Sequence, residues 1–331
     1  MNAVYQQLAR GISTFVVLAA ALACSSPAAT PASTSDVAAA DTSTADTAKS
    51  DAADTLAGPT WLDSLNVCWT DMGCPRAFVI SHGGDWTLGK GRPYDSKAAF
   101  ERAFQLGADG IKTDFLVTKD KVAVVAHSSP ILAWESAVCQ GKKIEEMTAD
   151  EVTACPLFDS PTTTQTYQRV DEVIEWARGK GTLMLTVKNS AEFGSAIELI
   201  LARKAQDFVH IETHMGDLAL IKKLPNWDKV RYTVQVGSLQ EVEALLGEKP
   251  VLFCEMDPSY PELDAAGLGQ LIATKVHPAG MRAFVSSQKL PSVEQHKALW
   301  NGGFDVIMTY NLAAAMEARK AVNEARGITP P

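Results

Sequence analysis

The sequence predicts an α/β fold, a (β/α)8 TIM barrel with a β-hairpin arm after its second strand. Three observations predict it. From residue 77 onward, short runs rich in β-branched and aromatic residues alternate with longer segments of helical apolar spacing. Eight of those runs fit within about 250 residues, the span of one closed barrel. The first is followed by Ser81-His-Gly-Gly-Asp85, which lacks the glycine spacing of a dinucleotide turn and so argues against a doubly wound open sheet.

Residues 1–24 read as an export signal. Arg10 precedes the apolar run 12–24, which is too short to cross a bilayer, and Ser25-Ser26-Pro27 follows it. Leu22-Ala23-Cys24 resembles a lipoprotein cleavage box, with Ala21 where Leu is usual. Cys24 is therefore the candidate lipid anchor and the only membrane contact expected. That places the chain in a bacterial cell envelope, in the periplasm or on the outer membrane, with plain secretion as the alternative. Residues 25–60 are mostly Ala, Ser, Thr, Asp and Pro; they bury too little to offset ordering entropy and read as a tether. Residues 61–331 form the barrel domain. The whole chain of 331 residues carries 30 Lys+Arg against 39 Asp+Glu, a net charge of −9, which excludes nucleic acid as its main partner.

Parallel strands are predicted at 78–81, 110–115, 182–188, 208–212, 231–236, 251–256, 281–286 and 305–309. Helices are predicted at 97–106, where Gly107 supplies the stop, and at 170–178, 191–205, 239–246 and 313–325. Residues 122–126 form an extra strand, joined to the second by Thr118-Lys-Asp-Lys121. That link is too short for a crossover helix, so this strand is an antiparallel arm. Export favours disulfides, and the local pairings Cys68–Cys74 and Cys139–Cys155 are expected. Cys254, within an apolar strand, reads as a buried thiol.

In a barrel, polar residues at the carboxyl ends of the strands converge on one face. Here those residues are His82, Lys112 with Asp114, Thr186 with Lys188, Glu212 with His214, Glu255 with Asp257, Ser286 with Ser287, and Tyr310, while His127 ends the arm. Two histidines, a carboxylate and two lysines in one basin suit an anionic substrate and general acid–base chemistry. Taken singly, a strand-end His is a polar cap and Lys112 a salt-bridge partner for Asp114; their coincidence favours a site. Trp134, Trp176, Trp227 and Trp300 read as packing anchors, and Gly89-Lys-Gly-Arg92 as a solvated loop beside the pocket.

Val79-Ile-Ser-His82-Gly-Gly, the stretch from Ala99 to Asp114, and Val124-Val-Ala-His127 resemble the glycerophosphodiester phosphodiesterase family. The resemblance continues through Leu183-Met-Leu-Thr-Val-Lys188, Met281-Arg-Ala-Phe-Val-Ser-Ser and Gly303-Phe-Asp-Val-Ile-Met-Thr309, covering residues 76–325 in order. It implies a barrel that cleaves the phosphodiester of deacylated phospholipids to glycerol 3-phosphate and an alcohol. His82 and His127 would be the acid–base pair, and Lys188 keeps the family's lysine for the substrate, a small phosphodiester or phospholipid headgroup; Lys112 is read from its charge as a second substrate-binding residue.

The resemblance also implies one divalent cation, calcium or magnesium, held by a Glu-x-Asp pair and a later Glu. Here the pattern departs. Lys112 replaces the first Glu and leaves only Asp114 of the pair; Thr186 replaces the later Glu; Gly83 replaces an Arg, Ser128 an Asp and Tyr310 an Asp. A hard cation needs several oxygen ligands, so the inherited site is degenerate. Either Lys112 supplies the positive charge and chemistry proceeds, or the barrel binds anions without turnover. A relocated metal is a third reading, drawn from the alternating His210-Ile-Glu212-Thr-His214, in which Glu212 would be a ligand.

Overall fold

The computed structural model describes residues 68–159, 165–256, 264–286 and 292–328; the export signal with Cys24, the tether, Asp257 and Ser287 lie outside them. In chain order the strands are β1 (Phe78–His82), β2 (Gly110–Val117), β3 (Ala123–Val125), β4 (Gln168–Arg169), β5 (Thr182–Val187), β6 (Val209–His214), β7 (Arg231–Val236), β8 (Val251–Met256), β9 (Arg282–Ser286) and β10 (Val306–Thr309). Eight of them pair in parallel in the order β1-β10-β9-β8-β7-β6-β5-β2, and β2 returns to β1, so the barrel is closed. β3 pairs antiparallel with the outer end of β2, and β4 with β3; together they form the expected arm with one further strand.

Helices α1 (Lys97–Gln105), α2 (Ala149–Thr153), α3 (Val170–Ala177), α4 (Phe193–Ala202), α5 (Met215–Ile221), α6 (Leu239–Leu245), α7 (Ala265–Leu271), α8 (Val293–Asn301) and α9 (Leu312–Ala325) lie between the strands. Ser96 caps α1 by accepting the Ala99 N–H at 3.1 Å, and Gly107, at φ 90°, ends it. The helix expected over 191–205 is shorter. Asn189 accepts the Ala191 N–H and starts a 3₁₀ turn before α4, and Lys204, at φ 50°, stops it. The sequence reading did not bring out α5, α7 and α8; α5 and α7 are short and carry Gly216, Gly267 and Gly269, which blur helical spacing.

The barrel interior is filled by Phe78, Ile80, Met184, Phe253, Phe284 and Met308. Its amino-terminal end is plugged by Trp69, which stacks on Phe78 at 3.9 Å and meets Phe253 edge-on at 5.0 Å. The plug belongs to the loop closed by the Cys68–Cys74 disulfide. Buried Arg282 fastens that loop, donating to the Trp69 carbonyl at 3.0 Å and the Asp71 carbonyl at 2.6 Å while pairing with Asp305 at 2.9 Å. A second disulfide, Cys139–Cys155, braces the excursion between β3 and β4 over a small core that includes Ile131, Ile144, Val152 and Leu157. Cys254 is a buried free thiol, pushed up to about 12 by burial. Among the described residues, no helix is long and apolar enough to cross a membrane.

Candidate active site

At the carboxyl end of β1 the chain turns at Gly83, whose φ is 70°. A Cβ there would lie 2.1 Å from the Tyr94 ring, so the missing side chain is what lets Tyr94 fold back over the pocket. The Tyr94 hydroxyl lies 3.2 Å from His82 Nδ1, donates to Asp114 Oδ2 at 3.1 Å, and accepts from Lys112 Nζ at 3.3 Å. A carboxylate only accepts, so the one phenolic proton is committed to Asp114. His82 Nδ1 must then carry the proton given to Tyr94, and His82 Nε2 accepts from the Tyr310 hydroxyl at 3.0 Å. Burial first, and then the Lys112 charge, hold the His82 imidazole well below its usual range; it is neutral.

Lys112 and Asp114 are two apart on β2 and share one face of the strand. Lys112 Nζ donates to Asp114 Oδ1, and Lys188 Nζ reaches the same oxygen at 2.9 Å. Lys112 is 3% exposed and Asp114 is fully buried. Burial works against ionisation of Asp114, but Lys112 and Lys188 outweigh it and hold the carboxyl far below the usual carboxylate range. Lys112 answers in kind: desolvation opposes its charge, while Asp114 and Glu212 raise its proton affinity. Asp95, at φ 57°, accepts the Asp114 N–H at 3.2 Å; burial and then Asp114 push its own carboxyl well up.

His127 enters from the arm. Its N–H and that of Ser128 both donate to Glu135 Oε1 at 3.0 Å, and the Leu132 N–H donates to Oε2 at 3.1 Å. Burial raises the Glu135 carboxyl to about 7. The His127 ring meets Trp134 edge-on at 5.1 Å and Tyr94 at 6.2 Å, so Tyr94 lies between the two histidines. Burial holds His127 down at about 4. His127 and Lys188 line an open groove of about 660 Å³ with Ser128, Ser129, Glu145, Asn189 and Glu192.

Glu212, on β6, stands in register with Thr186 of β5, which in turn pairs with Asp114 of β2. Thr186 donates to one of the Glu212 oxygens, and Gln235 Nε2 donates to the other at 3.1 Å and to Glu255 at 3.4 Å. Burial, and then Glu212, push the Glu255 carboxyl well up. His210, two residues earlier, is buried against Phe253, and His214, two later, is exposed. The three residues of the alternating stretch therefore sit at three depths. Among the described residues, no group of three or more His, Cys, Asp or Glu side chains is placed to hold a metal ion. The donor chemistry of Asp114 and Glu212 does not fit a divalent cation: both carboxylates act on the Lys112 ammonium, and all four carboxylate oxygens already accept hydrogen bonds.

His82, His127, Lys112, Lys188 and Asp114 are thus brought together, with Glu212 two strands from Asp114 across Thr186. Sequence reasoning missed Tyr94, Asp95 and Glu135, which lie in loops without periodicity. Trp134, read as a packing anchor, packs edge-on against His127 and Tyr94 at 5.1 and 5.8 Å. The loop at Gly89-Lys-Gly-Arg92 is tied down by Asp159, which accepts the N–H groups of Gly89 and Gly91.

The model of the glycerophosphoryl diester phosphodiesterase family matches residues 88–289. The chain is similar to a glycerophosphodiester phosphodiesterase of Caldanaerobacter subterraneus, 45% identical over 56 residues, 17% of this chain and 22% of that relative's length. The match thus spans about a fifth of that relative. The fold is similar to a glycerophosphoryl diester phosphodiesterase of Parabacteroides distasonis, with a TM-score of 0.63 and 23% identity, covering 79% of this chain and 92% of that one. It is similar also to a phosphodiesterase of Oleispira antarctica in complex with the product sn-glycerol-3-phosphate, at TM-score 0.59 and 16% identity, covering 75% and 97% of the two chains.

Proposed function

The chain belongs to the glycerophosphoryl diester phosphodiesterase family, and from that premise we propose that it hydrolyses a small phosphodiester with His82 and His127 as its acid–base pair. At the level of the family, the activity is that of a phosphoric diester hydrolase. The substrate proposed is a glycerophosphodiester or a phospholipid headgroup; sn-glycerol-3-phosphate held by the Oleispira antarctica relative supports this class.

The phosphate lies against Lys112 and Lys188, whose ammonium groups take its non-bridging oxygens. Water attacks phosphorus and gives a proton to His82 Nε2. The bond from phosphorus to the alcohol oxygen breaks as His127 protonates that oxygen, leaving a phosphomonoester and an alcohol. His127 gains proton affinity when an anionic phosphate replaces water beside it. Asp114 and Tyr94 hold His82 in the tautomer that keeps Nε2 as the accepting atom.

One observation carries this reading: the hydrogen-bonded path from His82 through Tyr94 to Asp114 and Lys112, with His127 packed on the far side of the same tyrosine. Release of glycerol 3-phosphate from glycerophosphocholine by the wild type, lost in His82→Ala, is the expected result. Equal background rates for the two proteins would refute turnover. They would favour the second reading, an anion-binding barrel without catalysis, which is supported by the engagement of both His82 nitrogens with tyrosine hydroxyls.

Residues 1–24 are proposed as the export signal, Cys24 as the lipid anchor, 25–60 as the tether and 61–331 as the working domain. Fatty-acid labelling in a bacterial host that disappears in Cys24→Ala is expected. An unlabelled protein in the culture medium would replace anchoring by secretion.

A further inference from the structure

We propose that the pocket binds the phosphate of its ligand without a metal ion, using the Lys112 ammonium, clamped by Asp114, where a divalent cation would otherwise neutralise the phosphate charge. The inference takes the class of ligand from the hydrolase reading but does not depend on turnover.

A hard cation must collect several oxygen ligands, carboxylates foremost. Asp114 has none to offer: Oδ1 accepts from both Lys112 and Lys188, and Oδ2 accepts from Tyr94. Glu212 is committed in the same way, to Thr186 and Gln235. Thr186 is itself the residue at the position of the later carboxylate, and its hydroxyl is used as a donor. Lys112 cannot readily withdraw. It lies mid-strand in β2, is 3% exposed, and has a second contact at 3.3 Å with the Tyr94 hydroxyl. A divalent ion placed beside Asp114 would face an ammonium of like sign.

The charges on the Asp114 side balance a different guest. Two ammonium groups converge on the one Asp114 carboxylate, and a phosphodiester carries a single negative charge. Lys188 is the outer of the two, a quarter exposed at its side chain and on the wall of the groove, so the phosphate meets it first. An ammonium donates directional hydrogen bonds as well as charge, and bonds of this charge-assisted kind are the strong ones.

The test is calorimetric titration of glycerol 3-phosphate into the full chain, in excess EDTA and again in excess calcium or magnesium. Affinities within about twofold of each other are expected. Lys112→Met and Lys188→Met should each weaken binding by roughly 10-fold or more, the loss expected when one charge-assisted hydrogen bond is removed. Calcium titrated alone into the wild type should show no saturable binding, a measurement that holds even where Lys112→Met does not fold. Binding that requires the metal, saturable calcium binding, no binding in either condition, or a folded Lys112→Met with unchanged affinity would each overturn the proposal. Turnover separates it from the hydrolase reading. Metal-free binding without hydrolysis leaves this inference standing and sinks that one, whereas calcium-dependent hydrolysis does the reverse.

Discussion

Tyr310 lies over His82, with ring centroids 4.2 Å apart, planes inclined by 27° and its hydroxyl 3.0 Å from Nε2. Tyr94 settles which nitrogen is proton-free, and Tyr310 covers that nitrogen. Tyr310 is itself 37% exposed, so it forms the outer surface of the site and is the group an incoming ligand meets above His82.

Tyr310→Phe keeps the stacked ring and removes the donor. A net hydrogen bond is worth about 1 kcal/mol, and this one must be broken before Nε2 accepts a proton from water. The variant is expected to raise kcat/KM by roughly 2- to 10-fold, measured as glycerol 3-phosphate release. A tenfold fall instead would show that the phenol holds His82 in its working position.

Glu135 governs the other histidine through the backbone. Its carboxyl, raised to about 7 by burial, ionises near 4.5 once the chain unfolds. As pH rises from 4.5 towards 7, the unfolded state gives up the proton first, so this group's contribution to stability is lost across that window. The loss is on the order of 1.4 kcal/mol per pH unit. Glu135→Gln has no such loss but gives up the acceptor for Leu132. It is expected to be less stable than the wild type at pH 5 by about 1–3 kcal/mol. By pH 8 the gap should close, as read by urea unfolding at the two pH values. A gap that does not change with pH would show that Glu135 is ionised in the folded protein throughout.

The barrel was legible because its strands are short runs rich in β-branched and apolar residues; all eight start within a residue of the positions read from the sequence pattern. The strand-end rule then placed His82, Lys112, Asp114, Lys188 and Glu212 on one face. Tyr94 was not legible in the same way. Its position depends on the left-handed turn at Gly83 and on a register 20 residues further along, at Asp114, neither of which leaves a period in the sequence. Glu135 leaves no pattern in the sequence, because its partners are the backbone N–H groups of His127, Ser128 and Leu132. Trp134 does pack, as its amphipathic surroundings suggested, but its partners His127 and Tyr94 lie too far from it in register to be read from the sequence.

His210 tests the core beneath the site. It is fully buried, its Nδ1 has no hydrogen-bond partner, and its Nε2 lies 3.5 Å from Thr182, which also donates to the Phe208 carbonyl. Burial holds the imidazole down at about 3, so as pH falls from 6.5 the unfolded state takes up a proton that the folded state refuses, and stability is lost. His210→Leu, of similar volume, removes both liabilities. It is expected to gain about 1 kcal/mol at pH 7 and more at pH 5, by thermal or urea unfolding. A loss of stability at both pH values would mean that the imidazole packs better than its missing hydrogen bond suggests.

At the opposite end of the barrel, Asp109 accepts from Arg76 at 2.6 Å, from Arg319 at 2.7 Å and from the Val79 N–H at 2.8 Å, with no exposed surface. It ties the start of β1 and the last helix to the residue before β2, far from the histidines. Removing one member of such a buried network strands the others, so Asp109→Ala is expected to cost about 3–5 kcal/mol in urea unfolding. Residues at the amino-terminal face of a barrel support stability rather than chemistry. The folded variant should therefore bind glycerol 3-phosphate as the wild type does. Weakened binding at unchanged stability would reverse that division, and would mean that strain at the floor of the barrel is transmitted along β2 to Lys112 and Asp114.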